Sequence, residues 1–246
     1  MKLFKEIFGR IWAVWGIIVF VITLMIAAIP IWLTNYLKEP RGTEVFRRIS
    51  NAWMRVFLTL IGCPLTVKGK SNFKKGQTYV VVCNHSSLMD VPLTTPFIPG
   101  PNKTIAKIEM AKIPVFGIIY RRGSVLVDRK SDESRRKSID DMKQVLASGI
   151  HMCIYPEGTR NKTGQPLKSF YDGAFRLAID TNTPIIPTII RHTATVLPPG
   201  KKFFLWPHWL SMEFLEPVPV TKDNNATAIK EKVYNIMWEK IASAKK

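Results

Sequence analysis

The sequence predicts an α/β fold, in which a layered sheet has flanking helices, preceded by an N-terminal helical membrane anchor. After residue 62, short apolar segments rich in β-branched residues alternate with helical patterns, as is typical of a sheet covered by helices. Before it, residues 11–37 contain no charged side chain. We therefore expect an anchor over residues 1–62 and one domain over residues 63–246, which is long enough for a single hydrophobic core.

The first element is an apolar segment that is long enough to cross a bilayer. Residues 11–33 are apolar apart from Gly16, Thr23 and Pro30, and roughly 20 such residues span the hydrocarbon layer. A cleaved signal peptide is the alternative, but the segment is long for a signal core and continues past its pair of small residues. Basic residues flank it on both sides, so charge does not orient it.

The second element, over residues 43–60, is predicted to be an amphipathic helix. Its apolar side chains recur at helical spacing, while most basic residues fall on other faces. Because such a helix prefers the membrane interface, we favour a two-helix anchor that dips into the cytoplasmic leaflet. The alternative for the first helix is that it crosses the bilayer completely. The alternative for the second helix is that it packs in the core of the domain. The apolar positions are Val45, Phe46, Ile49, Trp53, Val56, Phe57 and Leu60.

The remaining elements alternate along residues 63–246, and no repeat or low-complexity linker interrupts them. This continuity predicts that the anchor and the following domain pack together. Strands are predicted at residues 79–83, 124–127, 150–154, 185–190 and 211–215. Helices are predicted at residues 131–148, 172–180 and 226–242.

Two polar clusters directly follow predicted buried strands. Residues 84–90 follow the strand at 79–83, and residues 155–160 follow the strand at 150–154. They place a histidine, two carboxylates and an arginine at strand ends, where α/β proteins gather their functional sites. This arrangement predicts an enzyme.

The first cluster contains His85 and Asp90, a pair suited to general-base chemistry. A histidine can remove the proton of an attacking alcohol, and a carboxylate can fix its tautomer and stabilise the imidazolium. Five residues along one helix would turn the two side chains about 140° apart. We therefore expect His85 on the turn after the strand, with Ser86 or Ser87 capping a short helix whose first turn holds Asp90. A hydrogen-bonded loop histidine is the alternative.

The second cluster contains Glu157, Gly158, Thr159 and Arg160, which outline an anion site. Glycine lets the backbone approach a ligand closely, and the arginine fork matches phosphate oxygens. A turn with a surface Glu–Arg pair is the alternative.

Together these clusters resemble the motifs of the 1-acylglycerol-3-phosphate acyltransferase family, among the glycerophospholipid acyltransferases. Residues 84–90 match its Asn-His-x-x-x-x-Asp motif, and residues 155–160 match its Phe/Tyr-Pro-Glu-Gly-Thr-Arg block. Two weaker family blocks also appear in the expected order, one between these motifs at residues 123–129 and one after them at residues 183–187. Residues 106–117 also resemble the segment between the first two blocks.

The resemblance implies acyl transfer from acyl-CoA or acyl carrier protein to the sn-2 hydroxyl of lysophosphatidic acid, which gives phosphatidic acid. It implies that His85 is the general base and Asp90 its partner. It also implies a glycerophosphate site that is shaped by Arg129, Glu157, Gly158, Thr159 and Arg160. Lys107 is implied to lie near the substrate phosphate.

One segment departs from the family pattern and leaves the acceptor open. The family commonly shows Phe-Lys-x-Gly after the Glu-Gly-Thr-Arg block, whereas this chain has Phe-Tyr-Asp-Gly at residues 170–173, with Lys168 just before. Glycerol 3-phosphate, another lysophospholipid or an amino-lipid therefore remain alternative acceptors. A hydrolase would usually need a Gly-x-Ser-x-Gly elbow, which this sequence lacks. A non-catalytic membrane-binding module would not explain the intact motifs.

Composition predicts anionic partners at a membrane. The chain has 36 Lys and Arg against 18 Asp and Glu, a net charge of +18, which membrane phospholipids attract. We expect no nucleic-acid partner, because the basic residues are dispersed and no nucleic-acid motif accompanies them. The cysteines Cys63, Cys83 and Cys153 lack metal-site spacing and are expected to be reduced core thiols. We expect no metal, no cofactor beyond the acyl co-substrate, and a catalytic domain on the cytoplasmic face of the inner membrane.

Residues 198–209 carry four aromatic side chains whose role the sequence leaves open. They suit an apolar wall for an acyl chain or a membrane-facing patch, and ordinary core packing is an equal alternative.

Overall fold

The structure, a computed structural model, describes residues 2–243. The helices in that range are α1 (Lys2–Leu33), α2 (Arg41–Leu60), α3 (Asp90–Thr94), α4 (Phe116–Gly123), α5 (Asp132–Ala147), α6 (Gly173–Asp180), α7 (Thr193–Val196) and α8 (Ala226–Ala242). The strands are β1 (Leu65–Lys68), β2 (Val80–Cys83), β3 (Asn102–Lys107), β4 (Ser124–Val127), β5 (His151–Ile154), β6 (Ile185–Arg191) and β7 (Leu210–Phe214). Short 3-10 turns lie at Thr34–Tyr36, Lys70–Asn72 and Ile108–Lys112.

The seven strands form one sheet in the order β1-β7-β6-β2-β5-β3-β4. Strands β6, β2, β5, β3 and β4 run parallel, whereas β7 is antiparallel to β6 and parallel to β1. Because the carboxyl ends of parallel strands meet at one edge of a sheet, the segments that follow β2 and β5 emerge side by side. The predicted layered α/β fold with an apolar N-terminal helix is therefore confirmed.

The five predicted strands and the longer predicted helices are present, with ends shifted by one or two residues. The sequence did not predict β1, β3, α4 or α7. Strand β3 contains Asn102, Lys103 and Thr104 and alternates between buried and less buried positions, so it presents no apolar segment. Strand β1 has only four residues and is half exposed. Apolar segments reveal strands such as β2 and β5, in which every residue is buried, and miss β1 and β3, which carry polar side chains.

The two N-terminal helices share a hydrophobic core with the sheet, as the sequence predicted. Ala13 and Val19 of α1 and Met54 and Phe57 of α2 belong to the same buried cluster as residues of β2, β6 and β7. Thus α2 buries part of its apolar face against the domain, in agreement with the alternative of a packed element. Its Val56 stays more than half exposed.

Helix α1 also presents a long apolar face away from this core. Together with the 3-10 turn that follows, it is the one helix within residues 2–243 with the length and apolar composition to cross a membrane. Among its exposed large apolar side chains are Ile11, Ile18, Val21, Ile22, Ile26 and Ile29. These features favour membrane association.

Much of the aromatic segment at residues 198–209 packs on the N-terminal half of α1. Phe204 is buried against Gly9, where any side chain would clash with its ring, and the Leu205 N–H donates to the Gly9 carbonyl at 2.9 Å. Phe203 and Trp209 remain more than half exposed. Core packing therefore explains the middle of this segment.

A polar contact ties the junction between α1 and α2 to the sheet layer. Buried Arg122, at the end of α4, donates to Glu39 at 2.6 Å and to the Thr34 hydroxyl at 3.1 Å. Burial opposes ionisation of Glu39, but hydrogen bonds from Arg122 and Thr43 and the charge of Lys103 outweigh it and lower the pKa of Glu39 to about 2. The carboxylate is therefore charged at neutral pH, and the junction is fixed by a charge-assisted hydrogen bond.

His151, at the start of β5, gives the fold a pH dependence. Its Nδ1 accepts from the Tyr79 N–H at 3.1 Å, and burial lowers the pKa of His151 to about 4. The unfolded chain binds a proton near pH 6.5, whereas the folded chain binds one only near pH 4. The contribution of the neutral His151 to the free energy of unfolding is therefore fully present above about pH 6.5. It is lost as the pH falls from about 6.5 to about 4.

We predict that the free energy of unfolding falls by about 2 kcal/mol between pH 7 and pH 5 because of this histidine alone. Denaturant unfolding in detergent would measure it. His151→Asn keeps an acceptor for the Tyr79 N–H and should remove most of that pH dependence, whatever its effect on absolute stability. An equally steep loss in His151→Asn would contradict the assignment.

Candidate active site

His85 lies on the turn between β2 and α3, and Asp90 is the first residue of α3. The His85 Nδ1 and Asp90 Oδ2 atoms are 2.8 Å apart. The Asp90 side chain is fully buried, whereas the His85 side chain is 18% exposed. The two side chains meet as the sequence predicted, with the ring at the border between protein and solvent.

The same oxygen of Asp90 also accepts two backbone hydrogen bonds. The N–H groups of Ser86 and Ser87 donate to Oδ2 at 2.6 and 2.8 Å. The prediction that Ser86 or Ser87 caps α3 is wrong, because Met89 occupies the cap position and the helix has no side-chain cap. The Ser87 hydroxyl accepts instead from the Met89 N–H at 3.2 Å, and the buried carboxylate, a stronger acceptor than a hydroxyl, takes the N–H groups of Ser86 and Ser87.

This contact fixes the tautomer of the neutral imidazole. An ionised carboxylate can only accept, so the His85 Nδ1 must carry the hydrogen in the contact with Asp90. The lone pair of the neutral ring is then on Nε2. One side of the ring packs against Tyr155, with ring centroids 4.7 Å apart. An imidazole held in this way presents Nε2 as its unprotonated nitrogen.

Glu157 holds the backbone of the same histidine. Its Oε1 accepts from the His85 N–H at 2.7 Å, and its Oε2 accepts from the Lys168 N–H at 2.9 Å. The Asn161 N–H donates to the His85 carbonyl at 2.7 Å. Burial raises the pKa of Glu157, although these two hydrogen bonds and the charges of His85 and Lys168 oppose the shift. Glu157 is 1% exposed, and it shapes the site by positioning its neighbours.

Asn84 extends the sheet beyond the end of β2. Its Oδ1 accepts from the Ile190 N–H at 2.7 Å, and its Nδ2 donates to the Ile190 carbonyl at 2.9 Å. The ladder between β2 and β6 ends at Cys83 and Thr188, so this amide replaces the next backbone pair. Asn84 belongs to the motif at residues 84–90, but the sequence alone predicts no role for it. Its place as an amide directly after a buried strand is the signal that could have indicated this contact.

The segment after β6 supports the turn from its other side. The hydroxyls of Ser86 and Thr193 are 3.1 Å apart, and the Ser87 hydroxyl donates to the Leu197 carbonyl at 2.8 Å. Thr193 is fully buried. Residues 84–90 are therefore bonded to β6, to α7 and to the loop after β5, which leaves little freedom for the ring of His85.

The predicted anion site forms a turn beside this histidine. Gly158 has φ +67°, and a Cβ there would lie 2.7 Å from the ring of Tyr171. The Arg129 guanidinium donates to the Gly158 carbonyl at 3.1 Å, and the Lys168 ammonium donates to the Thr159 hydroxyl at 2.8 Å. Two cationic side chains thus converge on one short turn.

Two predicted residues have fewer contacts. Arg160 is partly exposed, and its side chain makes no hydrogen bond or ion pair within residues 2–243. Lys107 is exposed at the carboxyl end of β3, on the same edge of the sheet, and it likewise has no polar partner in the part of the chain that the structure describes. Both cations are available to a ligand, but only Arg160 is adjacent in sequence to the residues that contact His85.

The three cysteines are free and buried, and Cys83 and Cys153 have their sulfur atoms 3.8 Å apart under the site. Burial raises the pKa of the Cys83 thiol well above its usual range. A neutral, enclosed thiol is a poor nucleophile, so the histidine is the reactive group that this site presents to solvent.

Comparison with known proteins shows which protein family the region around this site matches. A family model described as Acyltransferase matches residues 64–191. The 1-acyl-sn-glycerol-3-phosphate acyltransferase of Cocos nucifera is 34% identical over 141 residues, which cover 56% of this chain and 45% of that protein. The human 1-acyl-sn-glycerol-3-phosphate acyltransferase alpha is 33% identical over 133 residues, 53% of this chain and 47% of that protein. The chain thus spans about half the length of these relatives.

A solved structure shares the whole fold. The crystal structure of the 1-acyl-sn-glycerophosphate (LPA) acyltransferase PlsC from Thermotoga maritima superposes with a TM-score of 0.83, covers 98% of each chain and is 22% identical. The similarity therefore includes the N-terminal helices as well as the sheet.

Proposed function

This chain belongs to the acyltransferase family, and we propose that it transfers an acyl chain from a thioester to the free sn-2 hydroxyl of lysophosphatidic acid, forming phosphatidic acid. The contact between His85 and Asp90 is the observation that carries the proposal. It presents an unprotonated Nε2 beside a turn rich in cations, which is the arrangement that deprotonating a phosphate-bearing alcohol requires.

The reaction proceeds by direct attack. His85 Nε2 takes the proton of the sn-2 hydroxyl as its oxygen bonds to the thioester carbonyl carbon, and Asp90 stabilises the imidazolium that forms. When the tetrahedral intermediate collapses, the carbon–sulfur bond breaks and the imidazolium returns the proton to the leaving thiolate. The products are phosphatidic acid and the free thiol carrier. No covalent acyl-enzyme is required.

Arg160 is the proposed main ligand of the substrate phosphate. Its fork has no partner within residues 2–243, and a planar guanidinium binds phosphate oxygens in pairs. Arg129 supports the turn through Gly158 and adds positive charge, and Lys107 approaches from the end of β3.

The hydrogen bonds of the turns limit which amides can stabilise the oxyanion. The N–H groups of Ser86 and Ser87 are used by the buried carboxylate, and those of Gly158 and Thr159 are used by carbonyls of their own turn. In these two turns, the N–H groups of Leu88, Glu157 and Arg160 have no acceptor within the described residues. Of the three, we propose the Glu157 N–H as the oxyanion donor, because the Glu157 side chain also holds the backbone of His85.

The donor is acyl-CoA or acyl carrier protein, and neither metal nor further cofactor enters the proposed reaction. The net charge of +18 suits both anionic carriers and anionic phospholipids. The apolar face of α1 supports placement at the membrane, with the catalytic domain on the cytoplasmic side. Glycerol 3-phosphate, other lysophospholipids and amino-lipids are the alternative acceptors.

Thiol release from acyl-CoA and from acyl carrier protein, with and without lysophosphatidic acid, tests the proposal. Purified protein in detergent should release thiol only with the acceptor and should form phosphatidic acid. His85→Ala should lose at least about a hundredfold in turnover because the general base is gone, while vesicle binding persists. His208→Ala is the matched control and should stay near the parent rate.

Several results would oppose this account. Release without acceptor indicates a hydrolase, and transfer only to another acceptor indicates a different head group. Turnover of His85→Ala within a few-fold of the parent would exclude the general-base role.

Arg160→Ala should raise the KM for lysophosphatidic acid by about tenfold or more and change kcat less, since it removes a charge-assisted contact made in both the bound and transition states. Steady-state kinetics against lysophosphatidic acid in mixed micelles would measure both parameters. Arg176→Ala, on the exposed side of α6, is the control for lost surface charge. An unchanged KM would remove Arg160 from the phosphate site.

A further inference from the structure

Lys168 has two contacts that place it in the site. Its backbone N–H donates to Glu157 Oε2 at 2.9 Å, and its ammonium donates to the Thr159 hydroxyl at 2.8 Å. Lys168 lies in the loop that leads from the Glu-Gly-Thr-Arg turn to α6, so its side chain folds back onto the turn from which the loop began.

Structural stabilisation alone explains this conformation poorly. A hydrogen bond between a solvent-accessible ammonium and a neutral hydroxyl contributes little to stability. Within the described residues no carboxylate lies at ion-pair distance from the Lys168 ammonium, whereas several other lysines, such as Lys143 and Lys230, are paired. The ammonium keeps its charge and two further donors for a ligand.

Glu157 links this lysine to the catalytic histidine. One of its carboxylate oxygens holds the backbone of His85, and the other holds the backbone of Lys168. Because Glu157 is buried, these two main-chain segments keep a fixed separation. The substrate has the same requirement, since its phosphate and its reacting hydroxyl are on adjacent carbons of one glycerol.

We propose that Lys168 is a second cationic ligand of the substrate phosphate and a determinant of specificity for phosphate monoesters. The inference rests on the proposed function and extends it to a residue outside the recognised motifs. Lys168 and Arg160 hold the phosphate dianion, and Glu157 sets the distance from that phosphate to His85. A lysolipid without the phosphate gains nothing from Lys168.

Equilibrium binding tests this inference without relying on turnover. The affinities of detergent-solubilised protein for lysophosphatidic acid and for the matching monoacylglycerol would be compared in the parent, Lys168→Met and Lys162→Met. Lys162 is exposed on the same loop, and its side chain has no polar partner within residues 2–243, so it controls for lost charge.

Lys168→Met should bind lysophosphatidic acid about tenfold more weakly and bind monoacylglycerol unchanged. Lys162→Met should match the parent, and Lys168→Arg should recover part of the loss.

Equal binding of the two lipids by the parent, an unchanged affinity in Lys168→Met, or equal losses for both lipids would each overturn the inference. Turnover measured on the same samples separates the two claims. A parent protein that prefers the phosphorylated lipid but does not acylate it would contradict the proposed function while the role of Lys168 in binding stands.

Discussion

One carboxylate oxygen determines the geometry of the whole site. Asp90 Oδ2 accepts from the His85 ring and from the N–H groups of Ser86 and Ser87. The turn cannot open without leaving a buried charge unpaired, which is costly. Because the turn is closed, His85 stays at the mouth of the sheet with Nε2 outward. The proposed oxyanion donor, the Glu157 N–H, comes from the neighbouring loop.

A second carboxylate joins the two halves of the site. Asp90 fixes the ring of His85, and Glu157 fixes its backbone while also holding Lys168. The strands β2 and β5 are adjacent and parallel, so the loops that follow them are close enough for one glutamate to bridge them. The backbones of His85 and Lys168 therefore form one rigid unit. The N-terminal helices share the core beneath it, which keeps the unit at a constant position relative to the apolar face of α1.

The sequence predicted the parts that depend on local pattern. The apolar segments at residues 79–83 and 150–154 are β2 and β5, and the polar clusters after them meet because parallel strands end together. Strand β3 was missed because its side chains are polar, and its pairing with β4 and β5 defines it. The contacts of Asn84 with Ile190 and of Lys168 with Thr159 depend on the path of loops, which residue spacing does not encode. The motifs thus located the candidate site, and only the fold showed which of its residues contact one another.

The central claim is that Asp90 fixes the tautomer of His85, and nitrogen-15 NMR of histidine-labelled protein tests it most directly. The His85 signals are assigned by comparison with His85→Ala. Because the Asp90 carboxylate accepts the hydrogen bond from the ring, the neutral imidazole of His85 must carry its hydrogen on Nδ1 and leave Nε2 unprotonated. Asp90→Asn should shift the population toward the other tautomer. A neutral His85 with its hydrogen on Nε2 in the parent protein would contradict the account, because no lone pair would then face the substrate hydroxyl.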